Sequence, residues 1–216
     1  MRLMPTAVVT ALTMLFLASP AFAEVPGRFG GRVGVSLSAF TGDLGDQLNP
    51  DNRIAPSLAF VYEYDFAPKL AFHTELGYAG KGGVSSGGGV DPLGNPTGTS
   101  KTTWRFDYLE VPLLLRGRLQ AFGTNHVFAE LGPVFDFRLT GKFSADPPVV
   151  PDVSLTSRMN ALDVGFGAGF GFEFPASHGR LGLETRYTRG FSDLYEVGGT
   201  LSTINQAWTF AVSLTL

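Results

Sequence analysis

The stretch Val164–Phe174, VGFGAGFGFEF, constrains the fold most, because bulky apolar residues alternate with small ones along most of its length. Successive side chains of a β-strand point to opposite faces, so a period of two predicts a strand. One face of this strand would be largely phenylalanine and the other largely glycine. Glycine is normally avoided in strand interiors because it packs nothing there. The second face is therefore expected to leave room for side chains from elsewhere.

Seven further segments show the same alternation, which predicts eight strands in total. The eight segments are Arg32–Phe40, Ile54–Phe66, Lys69–Lys81, Thr103–Arg118, Val127–Leu139, Asn160–Phe174, Leu181–Arg189 and Gln206–Leu216. Each is long enough to cross a bilayer at a tilt, which takes about 9–11 residues.

The connections between these segments alternate in length. The short ones are Ala67–Pro68, Leu119–His126 and Pro175–Arg180, and the long ones are 41–53, 82–102, 141–159 and 190–205. Short turns at one end, long loops at the other and an even number of strands are typical of outer-membrane barrels. The sequence thus predicts an all-β fold, an eight-stranded antiparallel up-and-down transmembrane β-barrel.

The first residues differ from the rest of the chain. Residues 1–23 combine an early positive charge at Arg2, an apolar run and small residues at Ala21 and Ala23, which predicts a cleaved signal peptide. The barrel domain would then occupy residues 24–216. No later apolar stretch approaches the length of a membrane helix, so a membrane-spanning chain would need a closed barrel. We expect export to the outer membrane of a Gram-negative bacterium.

Composition removes several classes of function. The chain has no cysteine, which excludes a disulfide scaffold and thiol catalysis. Its formal net charge is −3, so no basic excess points to nucleic acid.

A soluble lipocalin-like barrel is the alternative at the level of the fold, with apolar side chains inside and polar ones outside. The second face of these strands favours the membrane barrel, since it carries Gly, Ser and Ala punctuated by charges. Aromatic residues near strand ends are predicted to form interfacial girdles. They are Tyr62, Tyr64, Phe66, Tyr78, Trp104, Phe106, Tyr108, Phe172, Phe174, Tyr187 and Trp208.

The predicted interior carries many charges. Side chains just fill the interior of an eight-stranded barrel, and buried charges must pair. We expect a structural salt-bridge plug, with Arg118 and Lys81 nearer its ends, and a narrow proton or ion path is the alternative. The predicted plug residues are Glu63, Glu75, Glu110, Glu130, Asp136, Asp163, Glu184, Arg116, Arg138 and Arg186. The glycines of Val164–Phe174 would give these long side chains space.

The sequence predicts no catalytic, cofactor or metal site. His126 and His178 are placed in short turns, and His73 points inward beside Glu75 on the same face. The sequence contains no nucleophile-elbow, zinc-helix or phosphate-loop motif.

The first long connection carries candidate oxygen ligands for calcium. Asp43, Asp46, Asn49 and Asp51 lie within TGDLGDQLNPDN, but their spacing departs from the calcium-loop pattern. A solvated acidic loop is the favoured interpretation.

Two motifs carry a resemblance to a known family. RFDYLEVPLLLRGR (105–118) resembles the central strand of the PorT-like outer-membrane β-barrel family, and ETRYTRGFSDLYE (184–196) is similar to that family's exit from strand seven. The likeness covers essentially the whole chain after the predicted signal peptide, although much of it is shared with OmpA-type transmembrane domains. It implies an eight-stranded outer-membrane barrel and implies little about activity.

The predicted function is a non-enzymatic outer-membrane barrel with a filled lumen and a structural, adhesive or interaction role through its loops. A small channel or transport barrel and a lipid-modifying barrel are the alternatives. The expected partners are outer-membrane lipids and lipopolysaccharide, the barrel-insertion machinery and an extracellular partner at loops 41–53, 82–102, 141–159 and 190–205.

Overall fold

The computed structural model describes residues 27–90, 96–146, 152–194 and 202–216. These residues form nine strands, one α-helix and one short 3₁₀ helix. In chain order they are β1 (Arg28–Thr41), α1 (Asp43–Leu48), β2 (Asp51–Ala67), β3 (Leu70–Val90), β4 (Pro96–Gln120), β5 (His126–Asp146), β6 (Val153–Ser154), the 3₁₀ helix (Thr156–Arg158), β7 (Leu162–Ala176), β8 (Gly179–Gly190) and β9 (Ile204–Thr215). The predicted signal peptide, residues 1–23, lies outside the described residues.

The eight long strands close into a ring. Each pairs antiparallel with the next, and β1 pairs with both β2 and β9, so that Gly30 lies opposite Val61 on one side and Thr215 on the other. The two-residue β6 only adds to the edge of β5. Closure leaves no free edge along the body of the sheet. The predicted eight-stranded up-and-down β-barrel is confirmed.

The two faces of the barrel wall have opposite character. Outward positions carry apolar side chains such as Val33, Leu76, Leu131 and Phe170, which are 52%, 54%, 53% and 59% exposed. Inward positions carry most of the buried charges. A soluble barrel would need the reverse arrangement, so the lipocalin-like alternative is wrong. The part of the chain that the structure describes contains no helix long and apolar enough to cross a membrane.

The connections define two ends. The short turns follow β2, β4 and β7, and β1 begins and β9 ends at the same end, where the Leu216 amide donates to the Phe29 carbonyl at 2.7 Å. We call this the short-turn end and the opposite one the loop end. The long connection predicted at 82–102 is wrong in detail, because β3 and β4 continue to pair as far as Val90 and Pro96, with one register shift after Gly89. Antiparallel pairing satisfies the backbone there although the side chains are small.

The prediction of interfacial girdles is also wrong for three of the aromatic residues. Trp104, Phe106 and Tyr108 are buried inside the barrel near the loop end. They share the inward face of β4 with Glu110, since all four occupy alternate positions of one strand. The other predicted girdle residues occupy outward positions, and Tyr187 and Trp208 pack against each other with ring centroids 5.1 Å apart.

Candidate functional site

Arg116 is the hub of the charged side chains inside the barrel. Its guanidinium donates to Glu130 at 2.6 and 2.9 Å, to Glu173 at 3.1 Å, to Glu63 at 3.2 Å and to Glu184 at 3.3 Å. These carboxylates come from four strands, which all direct alternate side chains inward. A planar guanidinium has five N–H donors in a fixed fork, so one arginine can hold several carboxylates at defined angles.

Two further arginines extend the pairing towards the loop end. Arg186 donates to Glu75 at 2.6 Å and to Glu130 at 2.8 Å. Arg32 donates to Glu184 and lies 3.5 Å from Glu75. Both arginines are 1% exposed. Transferring an ion from water to the interior costs several kcal/mol, so these charges depend on one another for stability.

Arg118 extends the pairing towards the short-turn end. It forms salt bridges with Glu63, with Glu173 at 2.8 Å and with Asp65 at 2.6 Å. Arg28, at the start of β1, contacts the same Glu63 and Asp65 at 2.6 Å each. The pairing therefore reaches the rim of the barrel at this end.

The remaining members are a histidine and an aromatic ring. The Nε2 of His73 lies 2.9 Å from Glu75, and its Nδ1 lies 3.5 Å from Glu63. The Arg116 guanidinium lies over the Phe128 ring, 4.0 Å from the centroid. We call the following residues the charged network: Arg32, Glu63, His73, Glu75, Arg116, Arg118, Glu130, Glu173, Glu184 and Arg186.

A layer with more acidic than basic side chains lies on the loop-end side of the charged network. Lys81 bonds to Asp136 and lies 3.0 Å from Glu110. Asp136 stands opposite Glu110 on one side and opposite Asp163 on the other. Asp163 is 3% exposed, yet it forms no salt bridge with any described residue. Its oxygens approach the Gly190 backbone so closely that a Cβ there would lie 2.7 Å from one of them.

Arg138 is the predicted plug residue that the structure does not join to the others. It is half-buried, faces Tyr108 in the register, and forms no ion pair within the described part of the chain. The register between β4 and β5 shifts between Asp107 and Tyr108, directly beside this position. The other nine predicted residues are buried, and all of them except Asp163 form salt bridges.

The glycine face of β7 borders the charged network. A Cβ on Gly169 would lie 3.1 Å from Oε1 of Glu130, and one on Gly167 would lie 3.0 Å from Val134. A Cβ on Gly171 would lie 2.6 Å from the Phe128 ring. The space beside these glycines is therefore filled by Phe128 and Val134 as well as by charged side chains.

Apolar side chains close the lumen at the loop end. Trp104 packs edge-on against Phe40, with centroids 5.3 Å apart, and against Phe143 at 5.6 Å. Met159 and Leu194, from the connections after β6 and β8, complete the cluster. We call its buried members the apolar cap: Phe40, Trp104, Phe106, Tyr108, Met159 and Leu194. The Tyr108 hydroxyl accepts a hydrogen bond from Asn205 at 2.9 Å.

Sequence reasoning left Arg32 and Glu173 out of the predicted plug. The sequence pattern indicated both residues. Arg32 lies on the same face of β1 as Gly34 and Ser36, and Glu173 lies on the same face of β7 as its glycines. The same alternation on β4, where these residues share a face with Glu110, would have placed Trp104, Phe106 and Tyr108 inside the barrel.

One of the turn histidines and one of the acidic loop residues have local partners. His178 lies 3.1 Å from its neighbour Ser177 in the turn after β7, and His126 begins β5. The Asp43 carboxylate accepts hydrogen bonds from the amide and hydroxyl of Ser202 at 3.1 and 3.2 Å. Within residues 27–90, 96–146, 152–194 and 202–216, no group of three or more acidic or histidine side chains is arranged to hold a metal ion.

The sequence matches a family model, described as Outer membrane protein beta-barrel domain, over residues 26–196. This match spans most of the chain, and the protein belongs to that family. It is therefore an integral outer-membrane barrel. No curated protein matches the chain.

Several solved structures are similar to the chain at low identity. Ail, the attachment invasion locus protein of Yersinia pestis, is 13% identical over 89% of this chain and 100% of that chain, with a TM-score of 0.43. Neisserial surface protein A (NspA) is 10% identical over 86% and 96%, with a TM-score of 0.46. OprG from Pseudomonas aeruginosa is 13% identical over 88% and 96%, with a TM-score of 0.42. All three scores are below 0.5, and the assignment rests on the family match and the closed ring of strands.

Proposed function

We propose that this protein is a non-enzymatic, non-conducting outer-membrane barrel whose filled lumen holds its loop end as a platform for interactions. The observation that carries the proposal is the stacking of two different closures in one lumen. The charged network occupies the part nearer the short-turn end, and the apolar cap closes the loop end. An ion crossing the barrel would have to pass both.

The charged network supports a structural role because its members are mutually engaged. Arg116 alone contacts four carboxylates, and Glu63 and Glu173 each contact Arg116 and Arg118. Opening a path would separate buried ions from their partners, which is strongly unfavourable. We propose a structural plug made by the predicted residues Glu63, Glu75, Glu110, Glu130, Asp136, Asp163, Glu184, Arg116 and Arg186, extended by Arg32, Arg118, Glu173 and Lys81.

The connections at the loop end support a role in interaction. Asp43 bonds to Ser202, and the Asn160 side chain donates to the Asp193 carbonyl at 2.7 Å. Thr203 donates its amide to the Asp193 carboxylate at 3.0 Å. Binding residues are commonly placed on loops held by a rigid scaffold. We therefore propose that a partner binds at 41–53, 82–102, 141–159 or 190–205, and the PorT-like resemblance stays a prediction.

Planar-bilayer recording of the refolded full chain tests the closed lumen. We expect no steady single-channel currents under conditions in which a general porin conducts. Trp104→Ala removes a side chain from the apolar cap alone. This variant should also give no current, because the charged network still closes the lumen. Steady unitary currents from the unmodified protein would overturn the proposal in favour of the channel alternative.

Hydrolysis assays on outer-membrane lipid vesicles test the non-enzymatic part of the proposal. We expect no lipid product above a protein-free control. A lipid product that the unmodified chain forms above that control would overturn this part of the proposal in favour of the lipid-modifying alternative.

A further inference from the structure

An unusual pair of like charges lies on the outer wall of the barrel near the loop end. Arg105 on β4 and Lys142 on β5 stand directly opposite each other in the register, and both are exposed. Like charges in directly opposed positions destabilise a sheet. Neither side chain forms a hydrogen bond or salt bridge with a described residue, and Asp107, two positions along β4, is already engaged. Among the described residues, the pair therefore has no ion-pair partner.

The wall changes character in three steps along β4 and β5. The first cross-strand pair is apolar, with Leu109 opposite Phe137. The next is polar, with Asp107 opposite Thr140, where Asp107 accepts hydrogen bonds from Thr140 at 2.8 Å and from Tyr78 at 2.6 Å.

The third pair is Arg105 opposite Lys142, and Ser154 of β6 continues the same rung on the other side of Lys142. Strand residues rise about 3.3–3.4 Å each, so four residues tilted by roughly 40° put Arg105 about 10 Å above Leu109. The polar region of a bilayer adds about 5–7 Å beyond each face of its hydrocarbon core. The long Arg and Lys side chains can bend towards that layer. The steps thus match hydrocarbon, interface and headgroup in that order.

We propose that Arg105, Lys142 and Ser154 form a binding site for the phosphate of a lipid headgroup in the outer leaflet. In outer-membrane barrels the long loops face outward, so the loop end lies at that leaflet. Arginine offers a planar pair of donors to phosphate oxygens, and lysine supplies a point charge. The Ser154 hydroxyl, exposed on the same rung, supplies a third donor. A phosphate there would balance two cations that form no ion pair with the described residues.

Binding of lipid A to the refolded full chain tests the site directly. Lipid A that carries phosphate and lipid A that has been dephosphorylated are compared in nanodiscs at low salt. We expect the phosphorylated form to bind at least tenfold more tightly. Arg105→Gln and Lys142→Gln should each lower its affinity about fivefold, and the double variant about 30-fold, since a cation near an anionic surface contributes about that factor.

Lys69→Gln is the matched control, because it removes one exposed cation at the short-turn end. It should leave the affinity unchanged, and all variants should keep the heat-dependent gel mobility of a folded barrel. Unchanged binding by the double variant, or an equal loss in Lys69→Gln, would overturn the site. Displacement of the lipid by millimolar inorganic phosphate would show that the site recognises a free ion instead of a lipid.

Discussion

The two halves of the lumen are filled in opposite ways. Towards the short-turn end, the charged network draws its side chains from seven of the eight long strands, and most of its contacts are directed ion pairs. Towards the loop end, the apolar cap depends on one strand, β4, for three of its six buried members. Where the wall is complete, opposing strands can hold ion pairs at fixed geometry. Where the wall gives way to connections, non-directional apolar packing fills the space.

This difference predicts different responses to substitution. Removing one ion from a buried pair leaves its partner uncompensated, which typically costs about 3–5 kcal/mol. Exchanging one apolar side chain for another of similar volume typically costs less than about 1.5 kcal/mol. The charged network should therefore be intolerant of single changes, and the apolar cap tolerant.

The largest expected effect is that of Arg116→Met. The substitution keeps an unbranched side chain but leaves Glu130, Glu173, Glu63 and Glu184 without their shared partner. We expect the free energy of unfolding in lipid vesicles, measured by urea titration, to fall by about 3–5 kcal/mol. Lys69→Met, at an exposed position, should change it by less than about 0.5 kcal/mol. A similar small change for both variants would remove the contrast between the halves.

The next largest effects are expected for Gly167→Leu and Gly169→Leu. These variants test whether the half of the lumen that holds the charged network needs the space beside the β7 glycines. Added side chains there meet Val134 and Glu130, so we expect refolding to fail or the free energy of unfolding to fall by about 1–3 kcal/mol. Phe170→Leu, on the outward face of the same strand, should have the smaller effect. Equal tolerance of the three variants in a refolding assay would refute the requirement.

Met159→Leu tests the tolerance of the apolar cap. Met159 is fully buried there, and leucine has a similar volume, so the free energy of unfolding should fall by less than about 1.5 kcal/mol. Met159→Gln, similar in length, should cost more because its buried amide would lack hydrogen-bond partners. If leucine proved as damaging as Arg116→Met, the apolar cap would be as specific as the charged network.

The smallest expected effect concerns the connections above the apolar cap. Asp43→Ala removes two hydrogen bonds to Ser202, and both residues are near the surface. We expect a global loss of at most about 1 kcal/mol, but faster hydrogen exchange at the Ser202 amide. Asp46→Ala, which removes an exposed carboxylate from the same helix, should leave that exchange rate unchanged.

Alternation was enough to predict the barrel, because one buried face and one lipid-facing face impose a period of two on every strand. It also predicted that Glu130, Arg116 and Arg186 share the interior. It could not say which acid meets which base, since those pairs join strands that are distant in sequence, as Arg186 and Glu75 are.

The wrong predictions arose where residue type was given more weight than the position of a residue in the alternating pattern of its strand. Trp104, Phe106 and Tyr108 are typical of a membrane interface by composition, yet their positions on β4 turn them inward. Arg32 was overlooked on β1, although it lies on the same face of that strand as the serines and Gly34. The long connection at 82–102 was misjudged because glycine-rich composition suggests a loop, while backbone pairing alone sustains the β3–β4 hairpin.

The pairing of β1 with β9 has a consequence for the order of events during folding. This pairing, the seam of the barrel, joins the first and last long strands, for example at Gly30 and Thr215, whereas every other backbone pairing between the long strands joins strands that are neighbours in sequence. Closing such a distant contact carries the largest loss of chain entropy, and folds rich in distant contacts form slowly. The seam is therefore expected to close last, and until it does both terminal strands offer unpaired edges that insertion has to protect.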